Sequence, residues 1–293
     1  MSWLPIVRAI EVGVVAVAGW GLLTGYRATH LPRYRLNLTP GDLHLPYEPL
    51  TVTAEDGAQL VGWLVIPSTP RGIVLVQHGY GTCRADPLAL TALVYRGGYA
   101  AASIDFRGHG ESGGFCTFGR GERLDIKAVL DALAADARVN RLPVAYLGIS
   151  MGAAVGILAA AEDPRIQAVI SDSSYARLAP MVARYQWMTY RLPTVPFGWI
   201  STGCLSLELR TPLSRLDPIR AIGRIAPRPV LIIHGEQDAS IPVEQAHALY
   251  AAAGEPRALW VVRGAGHVAS INQDAPGYER RVLEFLEKAL SSS

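Results

Sequence analysis

Residues 144–154 read VAYLGISMGAA and join a short apolar run to an alanine-rich stretch. The run follows Pro143 and has the length and composition of a buried strand, and the alanine-rich stretch after it is typical of a helix. Gly148 and Gly152 leave room for a sharp turn between the two, which exposes the hydroxyl of Ser150. Because Ser150 would stand at the N-terminus of the helix, the helix dipole would favour negative charge beside it.

Strands and helices alternate over most of the chain. The predicted strands cover residues 50–53, 60–66, 72–77, 100–104, 144–149, 166–170, 229–233 and 258–262. The predicted helices cover residues 87–96, 120–137, 151–161, 243–253 and 276–290. An Asp-Gly turn at 56–57 joins the first two strands into a hairpin. We therefore expect an α/β fold with a mostly parallel central sheet and helices on both faces.

The 293 residues are enough to build one large catalytic domain, which we place at residues 50–293. Residues 1–26 form a separate hydrophobic segment, and the proline-rich residues 27–49 are a linker or an extended entry segment. The alternation breaks at about residues 173–227. We interpret this stretch as a helical cap inserted over the carboxyl ends of the strands, with a long helical crossover as the alternative.

Composition narrows the choice of partners. The net charge is only +2 and Lys and Arg form no dense run, which excludes nucleic acid as the expected partner. Cys83, Cys116 and Cys204 lack the spacing of a metal site and are too few for a disulfide framework, although a single bridge stays open.

The hydrophobic N-terminal segment has three interpretations. A membrane anchor, which we favour, would place Trp3 and Trp20 near the two interfaces, with Arg8 and Glu11 one turn apart between them. A secretory signal peptide would be cleaved after residues 16–18, Ala-Val-Ala. The third interpretation is an apolar helix packed on the domain.

Localisation depends on which of these interpretations holds. Three arginines at positions 27, 33 and 35 follow the segment and outnumber Arg8 before it, which favours a membrane-associated protein with a cytoplasmic catalytic domain. Cleavage would instead give a secreted or periplasmic protein.

A serine hydroxyl needs a nearby base, itself oriented by a carboxylate, to act as a nucleophile. Ligands of this fold class bind beyond the carboxyl ends of the strands, so the partners should follow strands. Asp238 follows the strand at 229–233, and His267 follows the strand at 258–262. The order Ser150, Asp238, His267 is the one expected with a G-x-S-x-G turn. Glu236 and Asp172 are the alternative carboxylates.

An oxyanion formed by attack on a carbonyl needs two backbone N–H donors. Met151, which follows the serine, is one candidate. Tyr80 is the other, because Gly79 and Gly81 let its loop approach a substrate. The Tyr80 ring, together with Met181 and Trp187 of the cap, is predicted to line the substrate pocket.

Residues 105–112, DFRGHGES, are the other conspicuous loop. Asp105, His109 and Glu111 could hold a metal ion, but a glycine-rich turn with a structural role is the interpretation we favour, and we expect no metal site. His78, His234 and Asp172 are expected to support strand ends.

Five motifs together resemble the α/β-hydrolase superfamily, in its serine-aminopeptidase-like and monoglyceride-lipase-like branch. They are HGYG at 78–81, DFRGHGES at 105–112, GISMGAA at 148–154, HGEQDASIP at 234–242 and GAGH at 264–267. The resemblance implies Ser150 as nucleophile, Asp238 as acid and His267 as base. It also implies Tyr80 and Met151 as oxyanion donors, and no cofactor.

These observations predict a serine hydrolase that cleaves small-molecule carboxylic esters through an acyl-enzyme. The apolar cap favours apolar acyl groups. A peptidase, an amidase or a thioesterase using the same three residues remains an alternative, as does a non-catalytic scaffold tethered to a membrane. Relatives that resemble this fold and act on halides or epoxides have an aspartate where this chain has Ser150, which disfavours those reactions.

Overall fold

The computed structural model describes residues 3–291, and its centre is an eight-stranded sheet. The strands are β1 (Glu48–Thr53), β2 (Gln59–Val65), β3 (Ile73–Gln77), β4 (Ala100–Ile104), β5 (Val144–Ile149), β6 (Ile166–Asp172), β7 (Val230–Gly235) and β8 (Arg257–Val262). The helices are α1 (Leu4–Thr29), α2 (Leu88–Arg96), α3 (Glu122–Ala135), α4 (Met151–Ala160), α5 (Leu178–Tyr190), α6 (Trp199–Glu208), α7 (Glu244–Ala252), α8 (Ser270–Gln273) and α9 (Ala275–Leu290).

Sheet topology determines where a ligand can bind. The strand order is β1-β2-β4-β3-β5-β6-β7-β8, with β1, β2 and β4 paired antiparallel and the other neighbours parallel. The chain moves outward from β3 to β4 and then returns across β3 to β5, so the winding direction reverses between β3 and β5. Such a reversal opens a crevice at the carboxyl ends of the strands. The mostly parallel α/β fold is thus confirmed.

Alternate side chains of each strand enter two different cores, because successive residues of a strand point to opposite faces. In β3, Ile73 and Leu75 pack with residues of α3 and α4, whereas Val74 and Val76 pack with residues of α2 and α9. The sheet is therefore covered on both faces, which holds the strand ends rigidly in place.

The N-terminal helix α1 runs to Thr29, three residues beyond the segment expected to end at Tyr26. Nearly all described side chains between Leu4 and Gly19 are exposed, whereas Gly21, Thr24 and Gly25 are buried against the rest of the protein. The stretch Ile6–Thr29 has a mean hydropathy of 1.8 and is long and apolar enough to cross a membrane, as some core helices and signal sequences also are.

Residues 30–47, within the predicted linker, lie along the domain and contain a short 3₁₀ turn at Pro40–Leu43. The Arg33 guanidinium donates a hydrogen bond to the Ser112 carbonyl, and Leu45 is buried with residues of α2. This part of the chain is an extended, attached segment.

Between β6 and β7, residues 173–229 contain α5, α6 and several short helical turns, and none of this insertion adds a strand to the sheet. The Arg184 guanidinium of α5 donates to the carbonyl oxygens of Ala239 and Ser240, at 2.6 and 3.1 Å. These bonds tie the insertion to the loop that follows β7.

Candidate active site

Ser150 occupies the turn between β5 and α4 in a conformation that few residues other than glycine adopt, with φ 52° and ψ −119°. A Cβ at Gly148 would lie 2.5 Å from the Gly152 carbonyl, and a Cβ at Gly152 would lie 2.4 Å from the His78 carbonyl oxygen. The Ser150 N–H donates to the Asp172 carbonyl at 2.8 Å. The two glycines therefore permit the turn. The hydrogen bond to Asp172, at the end of β6, stabilises the strained backbone of Ser150.

The structure brings Ser150, His267 and Asp238 together from three loops at the carboxyl edge of the sheet. The Ser150 Oγ lies 3.0 Å from Nε2 of His267, and Nδ1 of His267 lies 2.7 Å from a carboxylate oxygen of Asp238. A proton on Nδ1, donated to the carboxylate, leaves the lone pair of Nε2 directed at the serine hydroxyl. This arrangement can take a proton from Ser150.

Asp238 is held by donors on its other oxygen, which accepts hydrogen bonds from the N–H groups of Ser240 and Ile241 at 2.9 and 2.8 Å. His234 donates to the Ile241 carbonyl at 2.8 Å, and its Nε2 lies 3.4 Å from Asp238. Burial lowers the pKa of His234 and keeps its ring neutral. The carboxylate is thus fixed in position for His267.

The alternative carboxylates have other partners. Glu236 accepts from the Gly264 N–H at 3.0 Å. Asp172 accepts from the Ser173 hydroxyl at 2.9 Å and from the Tyr278 hydroxyl at 3.0 Å. Complete burial raises the pKa of Asp172 to about 6. Asp172 therefore supports the end of β6, as its position in the sequence predicts.

Replacing Asp172 by Asn should change how stability depends on pH. An unfolded Asp has a pKa near 3.9, so the native state holds the Asp172 proton more tightly and loses stability as pH rises from about 4 to about 6. Two pKa units correspond to about 3 kcal/mol. Urea unfolding in mild detergent should therefore show the wild type losing up to that amount, relative to Asp172→Asn, across this range. Parallel stability curves for the two proteins would contradict the assignment.

The two predicted oxyanion donors, the backbone N–H groups of Met151 and Tyr80, belong to segments next to Ser150. Met151 is the first residue of α4, where N–H groups lack intrahelical acceptors. Tyr80 follows Gly79, at which a Cβ would lie 3.2 Å from the Ser150 Cβ. The His78 Nδ1 contacts the Gly79 carbonyl oxygen at 2.7 Å. Because the C=O and N–H of a trans peptide point in opposite directions, this bond also sets the direction of the Tyr80 N–H.

His78 orients this loop while remaining neutral. Its Nε2 accepts from the Phe106 N–H at 2.9 Å, and complete burial lowers the pKa of His78 to about 3. Sequence reasoning identified His78 only as a strand-end support. His78 lies directly after β3 and two residues before Tyr80, the predicted oxyanion donor. This position is the sequence feature that indicates a role in orienting the loop.

The Tyr80 side chain contacts α1. Its hydroxyl donates to the Ala28 carbonyl of α1 at 2.9 Å, and its ring stacks on Phe118 with centroids 5.2 Å apart. Burial raises the pKa of this phenol, so it stays protonated. Tyr185 of α5 lies edge-on, 6.4 Å from the same ring. The three rings form an aromatic wall, which begins at the Gly79–Tyr80 segment beside Ser150.

The other two predicted pocket residues occupy different places. Met181 of α5 is half-buried and packs against the core below the insertion. Trp187 is half-exposed, with the Arg191 guanidinium 4.9 Å over its ring. Their contact with a substrate stays a prediction.

The loop at 105–112 is held by ionic and hydrogen-bonding groups, including Arg84 from the segment that follows β3. The Asp105 carboxylate accepts from the N–H groups of Arg84 and Glu111, at 2.7 and 2.8 Å, and pairs with the Arg84 guanidinium. Within residues 3–291, no three side chains of His, Cys, Asp or Glu lie close enough to hold a metal ion. The cysteines at 83, 116 and 204 are all free thiols.

Comparison with known proteins relates this fold to known hydrolases. The family described as serine aminopeptidase, S33, matches residues 68–205. A crystal structure of an esterase from Pyrococcus furiosus superimposes with a TM-score of 0.75 at 29% identity, covering 88% of this chain and 98% of that one. The chain belongs to the α/β-hydrolase superfamily. Over residues 68–205, this α/β hydrolase is similar to the branch that the serine aminopeptidase family describes.

Curated relatives of this α/β hydrolase span most of its length. An uncharacterised protein of Bacillus subtilis is 28% identical over 240 residues, which are 81% of this chain and 78% of the relative. The α/β-hydrolase domain-containing protein WAV2 of Arabidopsis thaliana is 26% identical over 296 residues, 94% of this chain and 92% of the relative. The family match and the esterase structure described above support a broad activity as a hydrolase.

Proposed function

We propose that this hydrolase cleaves carboxylic esters, with Ser150 as the nucleophile. In the first step Oγ of Ser150 bonds to the carbonyl carbon while its proton moves to Nε2 of His267. The carbonyl π electrons move onto oxygen, where the N–H groups of Tyr80 and Met151 stabilise them. The Asp238 carboxylate stabilises the imidazolium that forms.

Collapse of the tetrahedral intermediate breaks the bond between carbon and the leaving oxygen. His267 returns its proton to that oxygen, so an alcohol departs and an acyl-enzyme remains on Ser150. In the second half a water molecule loses a proton to His267 and attacks the acyl carbon. Ser150 recovers that proton when its bond to the acyl group breaks, and a carboxylic acid leaves.

One observation carries this proposal: the Ser150 Oγ lies 3.0 Å from Nε2 of His267, and Nδ1 of His267 is hydrogen-bonded to the buried carboxylate of Asp238. The Pyrococcus furiosus esterase supports an ester as the substrate class. A peptidase would need an acidic group for a charged amino terminus. The insertion has two acids: Asp217 accepts from the Leu178 N–H, and Glu208 lies on the outer surface of α6.

We further propose that the insertion acts as a cap over the site and that the acyl group is apolar. The aromatic wall of Tyr80, Phe118 and Tyr185 supports this, because it offers ring faces and edges near Ser150. Arg184 supports it too, because its bonds to the carbonyls of Ala239 and Ser240 hold α5 beside the Asp238 loop.

Ester hydrolysis and active-site labelling test the proposal together. We expect the protein to hydrolyse p-nitrophenyl esters from acetate to palmitate, with a preference for chains longer than acetate. A fluorophosphonate probe should modify Ser150 alone, as mapped by mass spectrometry of the labelled peptide. If the probe labels Ser150 but no ester is cleaved, amides or thioesters would be the substrate class. If the folded protein is not labelled, the non-catalytic scaffold would be supported.

We propose that α1 holds the hydrolase on a membrane. The apolar stretch Ile6–Thr29 and its exposed first half support this. The packing of Gly21 and Gly25 on the insertion makes the last third of α1 part of the folded domain, so a retained helix would hold the insertion close to the bilayer.

A further inference from the structure

The last third of α1 packs on α6 more closely than ordinary side chains allow. A Cβ at Gly21 would lie 2.3 Å from Cγ2 of Ile200, and a Cβ at Gly25 would lie 3.3 Å from the Leu205 backbone nitrogen. Glycines four residues apart allow this close approach, as they do between helices in membranes. Between them, the hydroxyls of Thr24 and Ser201 share a hydrogen bond of 2.9 Å.

Both helices run in the same direction, because the contacts advance along both from Gly21 with Ile200 to Gly25 with Leu205. Trp20 lies one residue before this contact and meets the end of the insertion that faces the free part of α1. Its ring is 4.9 Å from that of Tyr190 and 6.5 Å from that of Phe197. The free part of α1 therefore leaves the domain at this end of the insertion.

Apolar side chains, some exposed and some half-buried, lie at the same end. We call the following residues the aromatic belt: Trp20, Trp187, Tyr190, Val195, Phe197 and Trp199. Trp199 begins α6 and is 65% exposed, and Val195 and Trp187 are exposed as well. Arg191 lies next to the belt with its guanidinium over Trp187. Tryptophan and tyrosine beside a basic group are typical of the boundary between lipid and water.

The length of the exposed part of α1, residues 4–19, indicates where a bilayer would meet the domain. Residues 4–19 are 16 residues of α1 and span about 24 Å at 1.5 Å per residue. A bilayer has a hydrocarbon core of about 30 Å, so the free part alone falls short by about 6 Å. From Trp3 to Trp20 the helix rises about 26 Å, close to the distance between two interfaces.

We propose that the aromatic belt lies in the interface of a lipid bilayer, so that α1 and the insertion enter the membrane surface as one body. The proposal rests on the membrane role of α1 given above and adds the surface of the domain that meets the lipid. It also places the aromatic wall near the bilayer, because Tyr185 in that wall and Tyr190 in the belt are five residues apart on α5. An ester dissolved in lipid would then reach Ser150 from the membrane.

Fluorophores at the two ends of α6 test this placement. Leu207 is 75% exposed on the same helix, about 12 Å from Trp199, which makes it a matched control. Trp199→Cys and Leu207→Cys, each in a Cys204→Ala background, are labelled with the fluorophore NBD. The full chain is reconstituted into vesicles of phosphatidylcholine and phosphatidylglycerol in equal parts.

We expect NBD at position 199 to be quenched by lipids with a nitroxide on the acyl chain and to lose most of its quenching by aqueous iodide. NBD at position 207 should keep its iodide quenching. Equal iodide quenching at both positions in vesicle-bound protein would overturn the proposal, as would full-length protein that does not float with the vesicles. Hydrolysis of water-soluble p-nitrophenyl acetate by the labelled proteins reports the esterase proposal separately.

Discussion

Replacing Ser150 by Ala is expected to lower kcat for p-nitrophenyl esters about 10⁶-fold without unfolding the protein. The Oγ is the atom that would bond to the acyl carbon, and its hydrogen-bond partner in this site is His267, at 3.0 Å. Alanine can adopt the strained backbone angles no less readily than serine, and the N–H bond to the Asp172 carbonyl is unaffected. The midpoint of thermal unfolding should therefore stay within a few degrees of the wild-type value.

The residual rate of Ser150→Ala is informative as well. The N–H groups of Tyr80 and Met151 remain, and such donors with substrate binding alone leave about 10³- to 10⁴-fold catalysis over water. Fluorophosphonate labelling should disappear completely. Ester turnover by Ser150→Ala near the wild-type rate would show that another group performs the attack.

Replacing Asp238 by Asn is expected to lower kcat about 10⁴-fold, with little change in KM. Asparagine can still accept from the N–H groups of Ser240 and Ile241, so the loop should keep its shape. Its amide nitrogen would then face Nδ1 of His267 and favour the tautomer with the proton on Nε2. In that tautomer Nε2 carries a proton and has no lone pair, so it cannot accept the proton of Ser150.

Two other carboxylates near the site provide matched controls for Asp238→Asn. Asp172→Asn and Glu236→Gln make the same chemical change at residues bonded to Tyr278 and to Gly264. We expect kcat within about ten-fold of wild type for both, since neither orients His267. If Asp172→Asn caused the larger loss, the orienting role would belong to the end of β6.

Local sequence was sufficient for much of the architecture. The strand and helix around Ser150 were predicted because the apolar run, the two glycines and the alanines act within a few residues of one another. The predicted α3 was longer at both ends than Glu122–Ala135, since helix ends depend on capping contacts more than on periodicity. The positions of Asp238 and His267 followed from the rule that loops after parallel strands meet at one edge.

The local hydrophobic pattern of the sequence does not predict contacts between distant parts of the chain. The hydropathy of α1 describes a membrane segment and a packed helix equally well. The helix proves exposed in its first part and buried along one side only in its last part. The bond from the Tyr80 hydroxyl to the Ala28 carbonyl joins residues 52 positions apart. No local signal separates a tyrosine that lines a pocket from one that also contacts another helix.

The bond between Thr24 and Ser201 has a consequence for the order of events during synthesis. Its two residues are 177 positions apart, so α1 leaves the ribosome long before α6 exists. At roughly 5–20 residues per second this delay lasts about 10 to 35 s. During that time Gly21 and Gly25 have no partner from the insertion. Under the proposed membrane role of α1, the rest of the domain would fold onto a helix that is already in the bilayer.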